Sequence, residues 1–210
     1  MIRNAPLLAP ALLTALLATL WGAPAAQAAK TDRTQPFVIQ SDNGGEGNKI
    51  SQRTRLTGNV VISQGTLQLR AESVDLRITA DGFHQALASG TTGKPVSFSQ
   101  GRDVPGESVQ GQADQVEFDT KSDTVRFIGN AVVKVLRGTA VAEEVSGAVV
   151  LYDNRNEVFR FEGGQASPNP AGRTRLVIMP RATAAEAAAS AAPLPLQPST
   201  TLTPPTKTAP

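Results

Sequence analysis

The chain has 210 residues, with 20 Lys and Arg against 18 Asp and Glu, one His and no Cys. This balance, with only 4% aromatic residues, argues against nucleic-acid binding, which usually requires a basic stripe with interleaved aromatic side chains. Without Cys there are no disulfides and no thiol nucleophile, so strand pairing and an apolar core must stabilise the fold.

Residues 1–28 have the three parts of a secretory signal peptide: basic Arg3, an apolar run over 7–21, and small residues up to Ala28. We expect cleavage after Ala28 and a soluble mature chain, because the run has about 15 apolar residues and a membrane span needs about 20. Retention of the run would instead give a membrane-anchored protein.

The remaining chain divides into one domain and a tail. Residues 30–181 have the length of a single domain. Residues 182–210 are almost entirely Ala, Pro, Thr and Ser, a composition that cannot bury enough apolar surface to order a chain. We expect this tail to be disordered, and no function is assigned to it.

Apolar and polar residues alternate through the domain, which predicts half-buried β-strands with two distinct faces. Turn signals such as Gly65-Thr66, Asp81-Gly82 and Pro105-Gly106 separate the strands. The pattern predicts an all-β protein with little helix. The side chains that share the predicted inner face are Phe37, Ile39, Leu56, Val60, Ile62, Leu67, Leu69, Leu76, Phe98, Phe118 and Phe127.

One segment of the chain is repeated. Residues 118–129 and residues 152–163 share an apolar strand, a polar turn, a second apolar strand and a closing Gly. A sparser repeat joins Gly58-Asn59 with Gly129-Asn130. Repeated strand pairs predict stacked hairpins, which form a β-helix, a jellyroll or an open twisted barrel. The last strand, residues 174–179, is an uncapped edge to which another sheet could add.

Catalytic sites are poorly supported. His84 lies among polar residues after a turn, and we expect an ordinary exposed side chain. Glu117 and Asp119 share one strand face at a spacing suited to paired-carboxylate hydrolysis, but that face is the outer, solvated one. The sequence has no Gly-x-Ser-x-Gly motif, and the glycine-rich residues 44–49 lack the Gly-Lys-Ser/Thr ending of a phosphate loop. We expect no enzyme, no metal and no cofactor.

An ordered set of short segments resembles the OstA-like family of periplasmic lipopolysaccharide-transport bridge proteins. The resemblance covers about residues 35–180. The segments that carry it are Gln35-Pro36-Phe37-Val38-Ile39-Gln40-Ser41-Asp42, Leu56-Thr57-Gly58-Asn59-Val60, Gln64-Gly65-Thr66, Ala71-Glu72, Gly93-Lys94-Pro95, Gly111-Gln112-Ala113-Asp114 and Phe127-Ile128-Gly129-Asn130.

The resemblance implies a twisted β-jellyroll built of stacked hairpins and open at both ends. It implies that the inner face binds the lipid A acyl chains of lipopolysaccharide, at the eleven inner-face positions given above. Thr120 departs from the family pattern, being polar where an aliphatic side chain is common. The implied partners are an inner-membrane jellyroll adaptor of the LptC type, an outer-membrane translocon of the LptD type, and further copies joined head to tail.

The sequence therefore predicts a periplasmic protein that carries lipopolysaccharide from the inner to the outer membrane. One alternative is a membrane-anchored jellyroll adaptor of the same pathway. Another is a secreted structural β-repeat protein whose interior is simply a packed core.

Overall fold

The computed structural model describes residues 31–180, so the predicted signal peptide, the predicted tail, Lys30 and Arg181 lie outside the described residues. Within this range the chain forms twelve strands in one antiparallel ladder. The strands are β1 (Val38–Gln40), β2 (Gly45–Asn48), β3 (Arg53–Gln64), β4 (Leu67–Ile78), β5 (His84–Ser89), β6 (Val96–Gly101), β7 (Glu107–Ala113), β8 (Gln115–Asp119), β9 (Thr124–Arg137), β10 (Ala140–Asp153), β11 (Val158–Glu162) and β12 (Arg175–Ile178). A short 3-10 helix, Pro170–Gly172, lies between the last two strands.

The ladder is folded into two facing sheets. The four long strands β3, β4, β9 and β10 run through both sheets, and the shorter strands belong to one sheet each. Sheet I has the order β2-β3-β4-β5-β8-β9-β10-β11, and sheet II has the order β1-β3-β4-β6-β7-β9-β10-β12. Each sheet therefore contains eight strands. The prediction of an all-β, open jellyroll is confirmed.

The long strands pass between the sheets at β-bulges. Gly58 and Asn59 together oppose one residue of β4, and Gly129 and Asn130 together oppose one residue of β10. All four have a positive φ, between 45° and 79°, which Gly and Asn tolerate best. We call the line of these bends the spine. The repeated Gly-Asn pair therefore marks where a strand leaves one sheet and joins the other.

The repeated segments form hairpins of equal register. In the β8–β9 hairpin Phe118 opposes Val125, and in the β10–β11 hairpin Tyr152 opposes Phe159. The two hairpins are not separate units, because β9 also pairs with β10 along nearly its whole length. The stacking unit is one bent strand rather than one hairpin.

The core lies between the two sheets and consists mainly of Val, Ile, Leu, Ala and Phe. Ala71 and Val74 both point into it although they are three residues apart on β4, because the intervening bend opposite Gly58-Asn59 reverses the alternation. The largest fully buried side chains are Tyr152, Phe127, Ile62, Leu69, Val60, Val74, Val96, Val109, Val116, Val125, Val133 and Val150.

Candidate functional site

The inner faces of both sheets carry ten of the eleven residues that the sequence predicts for a ligand, and the eleventh, Phe37, packs against the same core from just before β1. Phe37, Ile39 and Leu56 are partly buried and pack against the core near its first strands. The other eight are buried: Val60, Ile62, Leu67, Leu69, Leu76, Phe98, Phe118 and Phe127. The structure thus brings all eleven into one continuous apolar interior, and their contact with a ligand stays a prediction.

Aromatic rings lie at intervals along this interior. Phe37 stacks on His84 and Phe118, with ring centroids 4.8 Å and 6.3 Å apart. Phe98 and Phe127 meet edge to face at 5.7 Å. The expectation that His84 is an ordinary exposed side chain is wrong, because its imidazole is half-buried beneath the Phe37 ring.

Two aromatic residues of the interior are missing from the predicted set. Tyr152 is buried and stacks on Phe159 with centroids 4.7 Å apart. Burial raises the pKa of the Tyr152 hydroxyl to about 12, so the phenol is neutral at physiological pH. The repeat contains the signal that identifies them, since Tyr152 corresponds to Phe118 and Phe159 to Val125.

The carboxylate pair considered for hydrolysis lies on the outer face of sheet I. Glu117 accepts a hydrogen bond of 3.3 Å from Arg126 on the neighbouring strand. Partial burial acts to raise the pKa of Asp119, but hydrogen bonds from the Gln85 side chain and from the backbone N–H groups of Ser122 and Lys121 lower it overall. A carboxylate held ionised in this way serves as a turn acceptor and is unsuited to general-acid catalysis.

A shallow cavity of about 750 Å³ lies against sheet I, over the outward side chains of its central strands. Its charges are partly paired, since Arg55 lies 3.8 Å from Asp75 and Arg126 lies 3.3 Å from Glu117. The lining mixes apolar side chains such as Leu87 and Leu151 with these charged ones, whereas the side chains of the interior are almost all apolar, which suits acyl chains better. The interior is therefore the better candidate site for a lipid.

Both ends of the ladder are open. At the first end β1 and β2 each pair with β3 alone, and at the last end β11 and β12 each pair with β10 alone. At the last end, Phe161 and Leu176 share the inward face with their buried partners on β10 but are 37% and 49% exposed. An added strand would cover these side chains and extend the interior.

Between positions 31 and 180 no group of three or more His, Asp or Glu side chains is arranged to hold a metal ion. None of the helical segments in this part of the chain is both long enough and apolar enough to cross a lipid bilayer.

Comparisons with known proteins agree with this geometry. Residues 38–158 match a family described as LptA/(LptD N-terminal domain) LPS transport protein. The chain is 30% identical over 153 residues to the lipopolysaccharide export system protein LptA of Haemophilus influenzae, an alignment that covers 73% of this chain and 82% of that protein. It is 31% identical over 120 residues to the protein of the same name from Escherichia coli K12, covering 55% of this chain and 60% of that protein.

A solved structure has the same fold. The crystal structure of LptH, described as the LptA-homologous periplasmic component of the lipopolysaccharide transport device of Pseudomonas aeruginosa, superimposes with a TM-score of 0.61 at 23% identity. The match covers 71% of this chain and 99% of that one. The resemblance drawn from the sequence segments is thereby confirmed, as is the jellyroll fold that it implied.

Proposed function

The chain belongs to the family of lipopolysaccharide transport proteins that comprises LptA and the N-terminal domain of LptD, and from this premise we propose that it carries lipopolysaccharide across the periplasm. The supporting observation is the continuous apolar interior between two sheets that are open at both ends. Each acyl methylene transferred from water to such a surface contributes about 0.8 kcal/mol. The lipid A acyl chains would lie against the eleven predicted residues, with Tyr152 and Phe159 added.

The proposed location is the periplasm, reached through cleavage of residues 1–28. A mature protein starting at Ala29 would be free to move between the two membranes, whereas an uncleaved one would be the anchored adaptor of the same pathway. Mass spectrometry of the protein purified from cells distinguishes the two by the mass of the N-terminal peptide.

The proposed partners are related jellyrolls that continue the ladder at its two ends. An LptC-like adaptor would deliver lipid at one end, an LptD-like translocon would receive it at the other, and further copies of the chain could join head to tail between them. Free backbone N–H and C=O groups on the four terminal strands are the groups that such partners would pair with.

The role requires no chemistry on the lipid. Directed movement would then depend on an energy-supplying partner elsewhere in the pathway. A carrier must also release its cargo, and apolar contact without buried charges provides binding of only moderate selectivity.

Site-specific photo-crosslinking tests the proposal. A photoreactive residue at Phe37, Phe98 or Phe118 should capture lipopolysaccharide, because these side chains face the interior. The matched controls are the adjacent outward positions Val38, Ser97 and Glu117, which should give little product.

Equal labelling of the inward and outward positions would contradict lipid binding in the interior. Absence of labelling at every position in living cells, with the protein folded, would favour the structural β-repeat alternative, in which the interior is only a packed core.

A further inference from the structure

Opposite the spine, the free ends of the two sheets face each other along a line that we call the seam. On the side of sheet I the seam is formed by the turns at 79–83, 120–123 and 154–157. On the side of sheet II it is formed by the turns at 65–66, 102–106 and 138–139. Whereas four strands run continuously through the spine, the turns at the seam join strands of the same sheet, so other contacts must hold the sheets together there.

Residues 31–37, which we call the strap, make one set of contacts across the seam. Asp32 is 3% exposed and is fixed to sheet II, accepting hydrogen bonds from the backbone N–H and hydroxyl of Thr66 at 2.7 Å and 2.6 Å. Gln100 donates a third bond to the same carboxylate, at 3.1 Å. The next residue, Arg33, forms an ion pair with Asp123 of sheet I.

The end of the strap crosses the seam again. The backbone that follows it joins sheet II, where Val38 opposes Ser63. The ring of Phe37 nevertheless lies against sheet I, stacked on His84 and Phe118. The strap therefore covers the apolar interior from the side as well as linking the two sheets.

Arg102 forms a second link. It is ion-paired with Glu107 of its own sheet and with Glu157 of the other, the latter at 2.7 Å. The guanidinium is largely buried, and its Nε has no hydrogen-bond partner; the same holds for the buried Oε1 of Gln100. A buried polar group without a partner destabilises the closed state, and this cost disappears when the group is exposed to water on opening. Opening the seam would expose these two atoms to water, which offsets part of the free energy lost when the contacts across the seam break.

From these contacts we infer that the seam is a gated side portal, through which the acyl chains of an amphiphile enter the interior. The portal opens when the strap detaches from sheet I and the Arg102–Glu157 ion pair breaks. The inference rests on the proposed carrier function. Acyl chains that pass sideways between the sheets leave the polar head of the lipid in water throughout, whereas threading through an end would drag the head past apolar side chains. The spine, with its Gly-Asn bends, serves as the hinge.

A reversible lock tests the portal. The native chain has no Cys, so two introduced thiols can be joined by a short bis-methanethiosulfonate linker, which forms a disulfide with each thiol by displacing methanesulfinate and is released again by reduction. Arg33→Cys with Asp123→Cys locks the strap to sheet I, and Glu117→Cys with Arg126→Cys is the matched control, because that pair joins neighbouring strands of one sheet. The full chain is mixed with fluorescently labelled rough-type lipopolysaccharide, and the rate of capture is measured before and after reduction.

We expect the seam lock to slow capture about tenfold or more and reduction to restore it, with no effect of the control lock. Equal rates for the locked and reduced seam variants would overturn the portal while leaving the carrier function intact. A reduced protein that captures no lipid would overturn the carrier function, and the portal with it. Circular dichroism melting verifies that each variant is folded, and Arg102→Cys with Glu157→Cys provides a second lock across the seam.

Weakening the seam should have the opposite effect. Asp123→Asn and Glu157→Gln remove the charge of one partner in each ion pair with almost no change of shape. We expect the double variant to capture lipid a few-fold faster than the native chain, and Glu117→Gln, on the outer face, to leave the rate unchanged. A double variant that is no faster, or slower, would contradict gating by these pairs.

Discussion

Phe127 of sheet I lies directly over Gly111 of sheet II: a Cβ at Gly111 would come within 2.2 Å of the Phe127 Cε1 atom. The ring is fully buried and also meets Phe98, the residue opposite Gly111 on β6. The absent side chain of one sheet therefore makes room for the ring of the other.

Replacing Gly111 by Ala should destabilise the fold by about 1–3 kcal/mol, because the added methyl group forces the Phe127 ring or the β7 backbone to move. Gly47→Ala is the control: it is also a strand glycine, but its nearest neighbour, the Thr54 hydroxyl, is 3.4 Å from the new Cβ. We expect the control to change the free energy of unfolding by no more than about 0.5 kcal/mol. Urea denaturation measures both, and equal stabilities would show that the interior is loosely packed here.

Gly129→Ala tests the bend at the spine. Its φ of 75° is unfavourable for Ala, and its Cβ would lie 2.5 Å from the Asp114 carboxylate. The matched control is Gly82→Ala, where φ is 82° and no atom lies within 4 Å of the new Cβ. This control measures the cost of the positive φ alone, about 1–2 kcal/mol. Gly129→Ala should lower the unfolding midpoint more than Gly82→Ala does. The reverse order would mean that the Asp114 contact is unimportant.

The Asp81–Lys121 pair gives a pH dependence. A hydrogen bond from Lys121, supported by one from Thr79, lowers the pKa of Asp81 from 3.8 to about 2. Because the folded pKa is the lower one, the stabilisation is complete above about pH 4 and is lost as the pH falls towards 2. The pair is solvent-exposed, so the effect on stability should be small and weakened by salt.

An NMR titration of the Asp81 carboxyl carbon measures this shift directly. Lys121→Met should return the pKa of Asp81 towards 3.8, whereas Arg126→Met, which removes a different ion pair of the same sheet, should leave it low. An Asp81 pKa that does not respond to Lys121→Met would assign the shift to other groups.

The open edge at β12 predicts a role in self-association. Ile178 is 66% exposed on this edge, and Lys there should disfavour the addition of another strand. Light scattering should show weaker concentration-dependent growth for Ile178→Lys and for a chain truncated before Arg173, with the monomer still folded. Val104→Lys controls for the loss of an exposed aliphatic side chain, since Val104 is 43% exposed in the β6–β7 turn, away from both open ends. Unchanged growth in both edge variants would exclude this end from assembly.

Strand positions and their inner faces were predictable because alternation, turn residues and the repeat all act locally. Phe98 and Phe118, for example, are assigned correctly from their immediate neighbours. Local patterns do not show which strands pair. They therefore do not show that β3, β4, β9 and β10 each belong to both sheets. The repeat identifies the Gly-Asn pairs in the sequence, but their role as bends depends on pairing with neighbouring strands, which the repeat does not specify.

The seam was also beyond sequence reasoning. Asp32 and Thr66 are separated by 34 residues, Arg33 and Asp123 by 90, and no periodicity connects such positions. The half-buried state of His84 has the same origin, since it depends on the Phe37 ring brought over it by the strap. Contacts of this kind arise only when the two sheets face each other.

Because the strands are stacked at a fixed spacing, the number of strands sets the length of the protein. Each added strand deepens the body by the spacing of one hydrogen-bonded neighbour, about 4.8 Å, so eight strands span roughly 34 Å. The cross-section does not change along the body, because the four long strands all bend at the same line and the shorter strands fill one sheet or the other between them. The reach of such a body can therefore change by addition of whole strands, within one chain or between chains, while the apolar interior between the sheets keeps the same width.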